Sequence, residues 1–436
     1  MKIALIAMSG IRCCDAELLE LGLTLPGFVE RSKTIASLPS LGLLTLAGMT
    51  PAGHQVDYIE MPDLANMNNL DTDYDLVGIS SYSAQINEAY ELALHFKKAS
   101  VPVVIGGPHV TALPDEALEF CDSAAVGQGE SVWPEILNDC RRGVLRPVYG
   151  SVERDYDLAC SPMPKFELLD ISKYNRLTVQ TSRGCPHKCD FCASSVMLTG
   201  KYNQKPPQKV LAEIDRIKQI WQKPFIEFAD DNTFVNKQYW KPLLKDLKHR
   251  RIKWFAESDL SVSEDTEMLD LMRESGCAQI LIGLESPTIE PLDGIDLNSN
   301  WKYKYFDKYA EAIHKIQSHG ITVNGCFILG MERQGPEIFD KVFEFVKAAG
   351  LYEVQITIMT PFPGTELYRK LDAENRLIEK QNWEKCTLFD LNFIPSHMSV
   401  DQLETGFKKL AEKIYSKYFT NWRREQFKKQ FRRGGD

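Results

Sequence analysis

The sequence predicts an α/β protein: a doubly wound parallel sheet, then a partial barrel of six βα units, then a helical C-terminal extension. Short apolar runs alternate with helix-like stretches twice along the chain, and a Pro-, Asp- and Ser-rich stretch interrupts this alternation. Strands that alternate with helices form parallel sheets, because each crossover helix covers one face of the sheet. The predicted division is a first domain at 1–145, a linker at 146–175, the barrel at 176–375 and the extension at 376–436.

The first domain alternates strands and helices in the order expected of a doubly wound sheet. The predicted strands are Lys2–Ala7, Val56–Glu60, Leu76–Ser80, Val101–Ile105 and Ala124–Val126. The predicted helices are Leu41–Ala47, Glu88–Lys98 and Ala117–Phe120. Such a sheet binds its ligand at the carboxyl ends of its strands. The loops there are SSYSAQ (80–85), GGPHVT (106–111) and GQGES (127–131), and their small residues let a large ligand approach the backbone.

The second half repeats the alternation six times, which predicts a partial barrel because eight units are needed for full closure. The predicted strands are Leu177–Thr181, Phe225–Ala229, Lys253–Ala256, Gln279–Ile282, Val323–Leu329 and Val354–Met359. Predicted helices between them include Lys209–Trp221, Glu264–Glu274, Phe306–Ser318 and Pro336–Ala349. Barrel sites are built at the carboxyl ends of the strands, so we expect the functional residues there.

Composition and charge limit the function classes. The 436 residues carry a net charge of −9, which argues against a general nucleic-acid-binding protein. No apolar run approaches the ~20 residues that span a bilayer. The opening MKIALIAMSGIRCCD lacks a small-residue cleavage site, so it predicts a first strand and no signal peptide. The cysteines number eleven and most are isolated, so we expect reduced thiols and a cytoplasmic location.

Three cysteines in one short loop are the strongest chemical signal. The segment TSRGCPHKCDFCASS (181–195) follows a predicted strand and holds Cys185, Cys189 and Cys192. Thiolates suit iron–sulfur clusters. Three of them can bind three irons of a cubane, which leaves the fourth iron for a small-molecule ligand. Structural zinc is the alternative, with His187 as the fourth ligand of a tetrahedron.

The spacing C-x-x-x-C-x-x-C, followed by six βα units, resembles the radical S-adenosylmethionine (SAM) superfamily. In that family the unique iron of a [4Fe–4S] cluster chelates SAM, and one electron cleaves SAM to a 5′-deoxyadenosyl radical. The resemblance implies that the three cysteines bind this cluster, and that an electron donor such as flavodoxin or ferredoxin reduces it. Further motifs agree with it: FADDNTF (228–234), GLES (283–286), CFILG (326–330) and PFPGTELY (361–368).

The resemblance also implies which residues contact SAM. Phe191 precedes the third cysteine, where the family places an aromatic ring next to the adenine. The polar candidates at the strand ends are Glu227, Asp230, Glu257, Ser258 and Glu285. Any of these polar residues could instead order a loop or cap a helix. Cys277 and Cys326 lie near or in barrel strands and are predicted to pack as small apolar residues.

The N-terminal loops, with LPSLGLLTLAG (38–48), resemble the cobalamin-binding domain that precedes the barrel in one radical SAM branch. The resemblance implies that the corrinoid or its nucleotide tail is lined by Ser80, Ser81, Gly106, Gly107, Gly127 and Glu130. The D-x-H-x-x-G motif, whose histidine ligates cobalt in other cobalamin domains, is absent here, as it is in many members of this branch. His54 and His109 lack its context. The alternative is a domain that only packs on the barrel and shapes the substrate pocket.

The resemblance implies cobalamin-dependent methyl transfer to an unactivated centre of a small-molecule substrate. A second hypothesis is radical SAM chemistry without methyl transfer: ring formation, oxidation, or aminocarboxypropyl transfer to a soft acceptor. The adjacent thiols of Cys13 and Cys14 would suit a metalloid acceptor, unless they only pack their loop. The third hypothesis is a binding protein that senses a corrinoid or the redox state. The basic segment WRREQFKKQFRRGGD (422–436) is predicted to be a solvated helix, with contact to an acidic partner or membrane surface as the alternative.

Overall fold

Two six-stranded parallel sheets form the framework of the protein, for which a computed structural model describes residues 1–21, 38–153, 155–194 and 202–433. The first sheet contains β1 (Lys2–Met8), β2 (Gln55–Met61), β3 (Leu76–Ser80), β4 (Val103–Gly106), β5 (Ser123–Val126) and β6 (Val148–Gly150). The second contains β7 (Leu177–Val179), β10 (Phe225–Phe228), β11 (Lys253–Ser258), β12 (Cys277–Glu285), β13 (Thr322–Leu329) and β14 (Glu353–Ile358). The short strands β8 (Ser182–Arg183) and β9 (Asn203–Gln204) pair antiparallel.

The first sheet has the strand order β2-β1-β3-β4-β5-β6. From β1 the chain passes to β2 on one side of β1, and β3 then pairs with β1 on its opposite side. The topological switch point therefore lies between β1 and β3. After Lys2, strand β1 is entirely apolar, as expected of a strand whose two faces are both covered by helices. Ile6 packs with Phe96 on one face, and Leu5 packs with Trp133 on the other. The helices of this domain are Ala16–Glu20, Leu41–Met49, Ile86–Lys98, Pro108–Ala112, Pro114–Leu118 and Trp133–Arg141.

The second sheet has the order β14-β13-β12-β11-β10-β7, so its strands follow the chain around an open, partial barrel. Residues such as Ile226, Ile280 and Ile356 point outward into the large apolar core beneath the helices. The alternate residues face the inside of the sheet, which we call the lumen. The helices around it are Pro207–Ile220, Lys237–Lys248, Thr266–Glu274, Trp301–Tyr305, Tyr309–Ser318, Ile338–Ala349 and Glu366–Ala373.

The predicted fold class is confirmed, and each predicted strand is present to within a few residues at its ends. The stretch predicted as a linker contains a strand as well, because β6 pairs with β5 at the edge of the first sheet. Three 3₁₀ turns follow, at Leu158–Cys160, Phe166–Leu168 and Ile171–Lys173.

The C-terminal extension is helical from Val400 onward, as the helices Val400–Tyr415 and Lys417–Arg433. Ser399 and Gln402 form a capping box that starts the first of them. The preceding stretch, 376–399, is largely irregular. Its two ends pair with each other through the backbone, with Ile378 N donating to Asn392 O (3.2 Å). In the described part of the chain, no helix is both long enough and apolar enough to cross a membrane.

Candidate active site

The loop that carries the three cysteines follows β7 and β8 and is held by a second loop. Cys189 forms an isolated antiparallel bridge with Asp296. On either side of it, Asp190 N donates to Ile295 O (2.9 Å) and Leu297 N donates to Lys188 O (2.9 Å). The backbone around the thiols is therefore fixed by the segment that follows β12.

The chemistry of the three thiols fits an iron–sulfur cluster. Burial raises the pKa of Cys185 to about 11 and that of Cys189 to about 12, and the nearby Cys192 contributes to both shifts. These thiols therefore become thiolates when a bound metal displaces their protons. In the described residues, no three Cys, His, Asp or Glu side chains are gathered tightly enough to hold a single metal ion.

His187, the fourth ligand that zinc would require, is engaged elsewhere. Its Nε2 lies 3.4 Å from Asp259 Oδ2, and its Nδ1 lies 3.4 Å from Asp296 Oδ2. Its ring also lies against Trp301 at 5.4 Å between centroids. The histidine therefore links the cysteine loop to Asp259, directly after β11, and to Asp296, in the segment that follows β12. With His187 engaged in this way, the three thiols favour the cluster over closed tetrahedral zinc.

Asp230 lies directly after β10 and orders the chain that enters the cysteine loop. It is buried and accepts hydrogen bonds from Thr181 N (2.7 Å), Ser182 N (2.9 Å) and the Thr181 hydroxyl. Burial raises the pKa of Asp230 to about 6. Among the predicted SAM contacts, this residue has the geometry of the loop-ordering alternative.

Glu227 and Glu257 face the lumen from neighbouring strands. Glu227 forms a buried ion pair with Arg176. Burial, together with the negative charges of Glu227 and Asp231, raises the pKa of Glu257 to about 8. The carboxyl group of Glu257 is thus poised to bind a cationic ligand group, which would lower its pKa.

The raised pKa of Glu257 predicts a stability change with pH. Between its ordinary pKa of 4.5 and about 8, the folded protein holds a proton that the unfolded chain releases. The contribution of Glu257 to stability is therefore present at low pH, falls as pH rises through this window, and is constant above it. The Glu257→Gln variant should gain in melting temperature over the unaltered protein by several degrees between pH 5 and 8.5. A difference that stays constant across this range, measured in pH-series thermal melts, would contradict the assignment.

Glu285 is paired with a lysine that sequence reasoning missed. The register of β12 against β13 shifts between Gly283 and Glu285, and Glu285 has a φ of +63°. This bulge directs Glu285 to the buried ammonium of Lys302, which also donates to Gly283 O (3.1 Å). Burial opposes the charge on Lys302, but Glu285 and the nearby Cys189 outweigh it and raise the pKa of the lysine. A buried cation therefore lies beside one cluster ligand.

The other predicted residues of the barrel are placed as follows. Phe191 is half-buried and packs against the apolar core. The Ser258 hydroxyl donates to Asp259 O at 3.0 Å. Cys277 is fully buried in the core, as predicted. Cys326 is partly exposed on the lumen face, where burial and the Glu285 carboxylate raise its pKa.

The N-terminal candidates cluster at the carboxyl ends of β3, β4 and β5. Ser81, directly after Ser80 at the end of β3, donates its N–H to Gly106 O (3.4 Å). Gly107 has a φ of +115°, and a Cβ there would lie 2.6 Å from Ser81 O. Gly127 has a φ of +79° and meets the backbone of Ser151 equally closely. Only glycine fits these two positions without strain.

Glu130 connects the first domain to the cysteine loop. It is buried and forms an ion pair with Arg183, two residues before Cys185. Arg183 Nη1 also donates to Gln128 Oε1 (2.6 Å). Burial would raise the pKa of Glu130, but the charge of Arg183 and its hydrogen bond lower it, so Glu130 is a carboxylate. The loop after β5 and the cysteine loop are thereby held side by side.

Tyr82 is a further residue that the sequence did not single out. It follows β3 at the switch point of the first sheet, and its side chain is 58% exposed. The surrounding protein and the carboxylate of Glu227 raise the pKa of the Tyr82 phenol. The Tyr82 ring is therefore exposed to solvent and yet near enough to the barrel for the charge of Glu227 to act on its phenol.

Cys13 and Cys14 lie against the C-terminal extension. Cys13 Sγ lies 3.4 Å from Asp390 Oδ1, and Cys14 N donates to Asp390 Oδ2 (2.9 Å). Cys14 Sγ donates to Glu384 O (3.5 Å). Burial raises the pKa of both thiols. These contacts are those of a packed loop.

Comparison with known proteins matches three family descriptions to the chain, of which the second and third overlap at residues 365–388. A B12-binding domain matches residues 33–137, the radical SAM superfamily matches 179–388, and a domain of unknown function matches 365–434. The bacteriochlorophyllide d C-8(2)-methyltransferase of Chlorobaculum tepidum is 28% identical over 81% of this chain and 79% of its own length. The hopanoid C-2 methylase of Rhodopseudomonas palustris is 26% identical over 87% of this chain and 72% of its own.

Among solved structures, the chain is similar to the radical SAM methyltransferase TsrM from Kitasatospora setae, described with cobalamin and a [4Fe–4S] cluster bound. The TM-score is 0.66, with 15% identity over 86% of this chain and 75% of that one. At this identity the likeness establishes the fold: a doubly wound sheet followed by an open barrel.

Proposed function

Because the chain belongs to the radical SAM superfamily, in the branch with an N-terminal B12-binding domain, we propose that it is a cobalamin-dependent methyltransferase. It would transfer a methyl group of SAM to an unactivated carbon or phosphorus centre of a small molecule. The observation that carries the proposal is the contact of Arg183 with Glu130 and Gln128, because it holds the two cofactor loops together. Residues 1–145 would hold the corrinoid, and residues 176–375 would hold the cluster and SAM.

The residues of this chain divide the work between binding and positioning. Cys185, Cys189 and Cys192 would ligate the cluster, which supplies the electron for SAM cleavage, while the corrinoid carries the methyl group. Glu257 is the lumen carboxyl best placed to bind the amino group of SAM, because the charge of Arg176 only partly offsets the burial and the like charges that raise its pKa. Lys302 would face the carboxylate side of SAM, near Cys189.

The other residues position the cofactors. Asp230 and His187 hold the entry and the middle of the cysteine loop. Phe191, Ser258 and Glu285 would complete the SAM site, and an electron donor such as flavodoxin or ferredoxin would reach the cluster. We place the protein in the cytoplasm, where its eleven cysteines, all described and none in a disulfide, stay reduced.

The first-domain loops would cradle the corrinoid through backbone approach. Ser80, Ser81, Gly106, Gly107 and Gly127 supply small residues at the strand ends. Tyr82 would lie against the face of the macrocycle, since an exposed aromatic ring at a switch point suits a large flat ligand. No histidine is needed in this arrangement.

The experiment is anaerobic reconstitution with iron, sulfide, SAM, a reductant and hydroxocobalamin, followed by mass spectrometry of the SAM products. Methyl transfer predicts S-adenosylhomocysteine together with 5′-deoxyadenosine, and both should require the cluster. Methylthioadenosine as the main product would instead indicate aminocarboxypropyl transfer. Absence of all three under reducing conditions would favour a sensing protein and contradict the proposal.

Replacing Gly107 should weaken cobalamin binding. In Gly107→Ala the new Cβ meets Ser81 O at 2.6 Å, on top of the strain of a positive φ, so the loops after β3 and β4 must shift apart. We expect at least about tenfold weaker cobalamin binding, which corresponds to ~1.4 kcal/mol. Gly53→Ala is the matched control, because Gly53 also has a positive φ (96°) but no atom lies within 4 Å of its Cβ position. Equal cobalamin absorbance in both variants would count against the site.

A further inference from the structure

Three buried amide side chains line the lumen on neighbouring strands. They are Gln279 on β12, Asn324 on β13 and Gln355 on β14. Their neighbours Ile280, Val323 and Val354 point outward into the apolar core, so the period of two places the amides on the lumen face. None of the three was singled out by the sequence, because glutamine and asparagine in a strand carry no motif.

Each of these amides has an oxygen without a partner. The side chains are only 4%, 4% and 6% exposed, and Gln279 Oε1, Asn324 Oδ1 and Gln355 Oε1 receive no hydrogen bond from the described residues. Burying an unpaired amide oxygen costs about 1–3 kcal/mol. Proteins keep unpaired buried polar groups mainly at functional sites, where a bound ligand supplies the missing hydrogen bonds.

The same chain satisfies its buried amides where they are structural. Gln317 is fully buried, donates to Gly350 O (2.9 Å) and accepts from Tyr352 N (3.0 Å). Gln334 accepts from Gly330 N (2.9 Å) and donates to Ile328 O. Other buried polar atoms also lack a partner, such as Trp240 Nε1 and Thr233 Oγ1, but the buried amides Gln317 and Gln334 are paired, whereas those of the lumen are not.

The three amides form a diagonal row across the sheet. Asn324 lies two residues beyond Thr322, the register partner of Gln279, and Gln355 is the register partner of Cys326, two residues further along. With strands ~4.8 Å apart and a rise of ~3.3 Å per residue, successive Cα atoms lie about 8 Å apart. The row is therefore long enough to contact a ligand that carries several functional groups and is larger than one water molecule.

The row is continuous with the candidate SAM site. Leu281, the register partner of Asn324, is also the partner of Glu257 on the other side. The charges of Glu285, Lys302 and Glu257 all act on Cys326, beside Gln355. A molecule bound along the amide row would therefore lie next to the SAM that these charged groups face.

We propose that Gln279, Asn324 and Gln355 form the recognition wall of the methyl acceptor, which is a polar molecule whose hydroxyl, amine or amide groups hydrogen-bond to these amides. This inference rests on the proposed function and names its substrate class. A purely hydrocarbon lipid skeleton would leave all three amides unpaired and is disfavoured by that penalty. A site that hydrogen-bonds its substrate also discriminates against analogues that lack the polar groups.

The first test needs no substrate. The reconstituted holoenzyme is compared in thermal melts with Gln279→Met, Asn324→Leu and Gln355→Met, and with the matched control Gln317→Met. Removing a paired amide should lower the melting temperature of the control by about 2–4 °C. Removing an unpaired one should leave the melting temperature unchanged or raise it. A fall in all three lumen variants as large as that of the control would show structural amides and overturn the proposal.

The second test separates the acceptor from SAM and from the function itself. Methyl-labelled SAM is supplied to the holoenzyme with a metabolite extract of the source cells, and label is counted in the aqueous and the lipid phases. We expect label in the aqueous phase, and at least about tenfold less of it with the triple variant. Label in the lipid phase, or equal aqueous label with the triple variant and the unaltered protein, would overturn the proposal. If no label is transferred at all, methyl transfer fails, and the melting comparison still decides whether the amides are a binding wall.

Discussion

Alanine at Cys185, Cys189 or Cys192 is expected to reduce SAM cleavage to background. Each thiol would bind a different iron, so no remaining side chain of the loop can replace it. His187, the nearest candidate, is held between Asp259 and Asp296. The measurement is iron per chain, the visible spectrum and 5′-deoxyadenosine after anaerobic reconstitution. Bound cobalamin should be unchanged, because the first-domain loops are intact.

Cys160→Ala is the control for this prediction. Cys160 is exposed in a 3₁₀ turn of the connecting stretch and is remote from the loop in sequence. This variant should keep the iron content and the activity of the unaltered protein. Full activity in any of the three loop variants would remove that cysteine from the cluster and reopen the assignment of the ligands.

Arg183→Ala is expected to have the second-largest effect, because it leaves the buried Glu130 carboxylate without its cation. Removing one member of a buried ion pair costs about 3–5 kcal/mol. The same change separates the loop after β5 from the cysteine loop, so methyl transfer should fall by at least about tenfold more than SAM cleavage. Denaturant unfolding gives the first quantity, and the ratio of S-adenosylhomocysteine to 5′-deoxyadenosine gives the second.

Lys248→Ala provides the matched surface control. Lys248 Nζ lies 2.9 Å from Glu274 Oε2, but both side chains are about half exposed, so the pair contributes about 0–1 kcal/mol. This variant should leave both quantities nearly unchanged. If Arg183→Ala behaves like the control, the two domains are not coupled through this ion pair.

Local patterns predicted the framework of the protein well. The central strands of the first sheet are short and mostly apolar, since parallel strands covered on both faces bury both sets of side chains. The barrel strands alternate apolar core residues with residues of the lumen. The cysteine loop was identifiable because its three cysteines lie within eight residues, and the βα units that follow it favour a cluster over zinc. The same holds for Gly107 and Gly127, where glycine marks a backbone that leaves no room for a side chain.

Pairs that are distant in the sequence could not be predicted. Arg183 meets Glu130, and Lys302 meets Glu285, only after the strands have paired and the bulge at Gly283 has formed. Asp230 could not be assigned from its position alone. Its place after β10 suggested a contact with SAM, but its carboxylate accepts hydrogen bonds from two backbone N–H groups and the Thr181 hydroxyl. Cys326 carries no motif that marks the lumen, and only the pleat of β13 shows that it faces there.

The most direct test of the account is the electron paramagnetic resonance spectrum of the reduced, reconstituted protein with and without SAM. A cluster held by Cys185, Cys189 and Cys192 has one iron without a protein ligand. The account predicts a [4Fe–4S]⁺ signal, with about four irons per chain, that changes when SAM is added. A signal that SAM leaves unchanged, or zinc bound in place of iron, would contradict it.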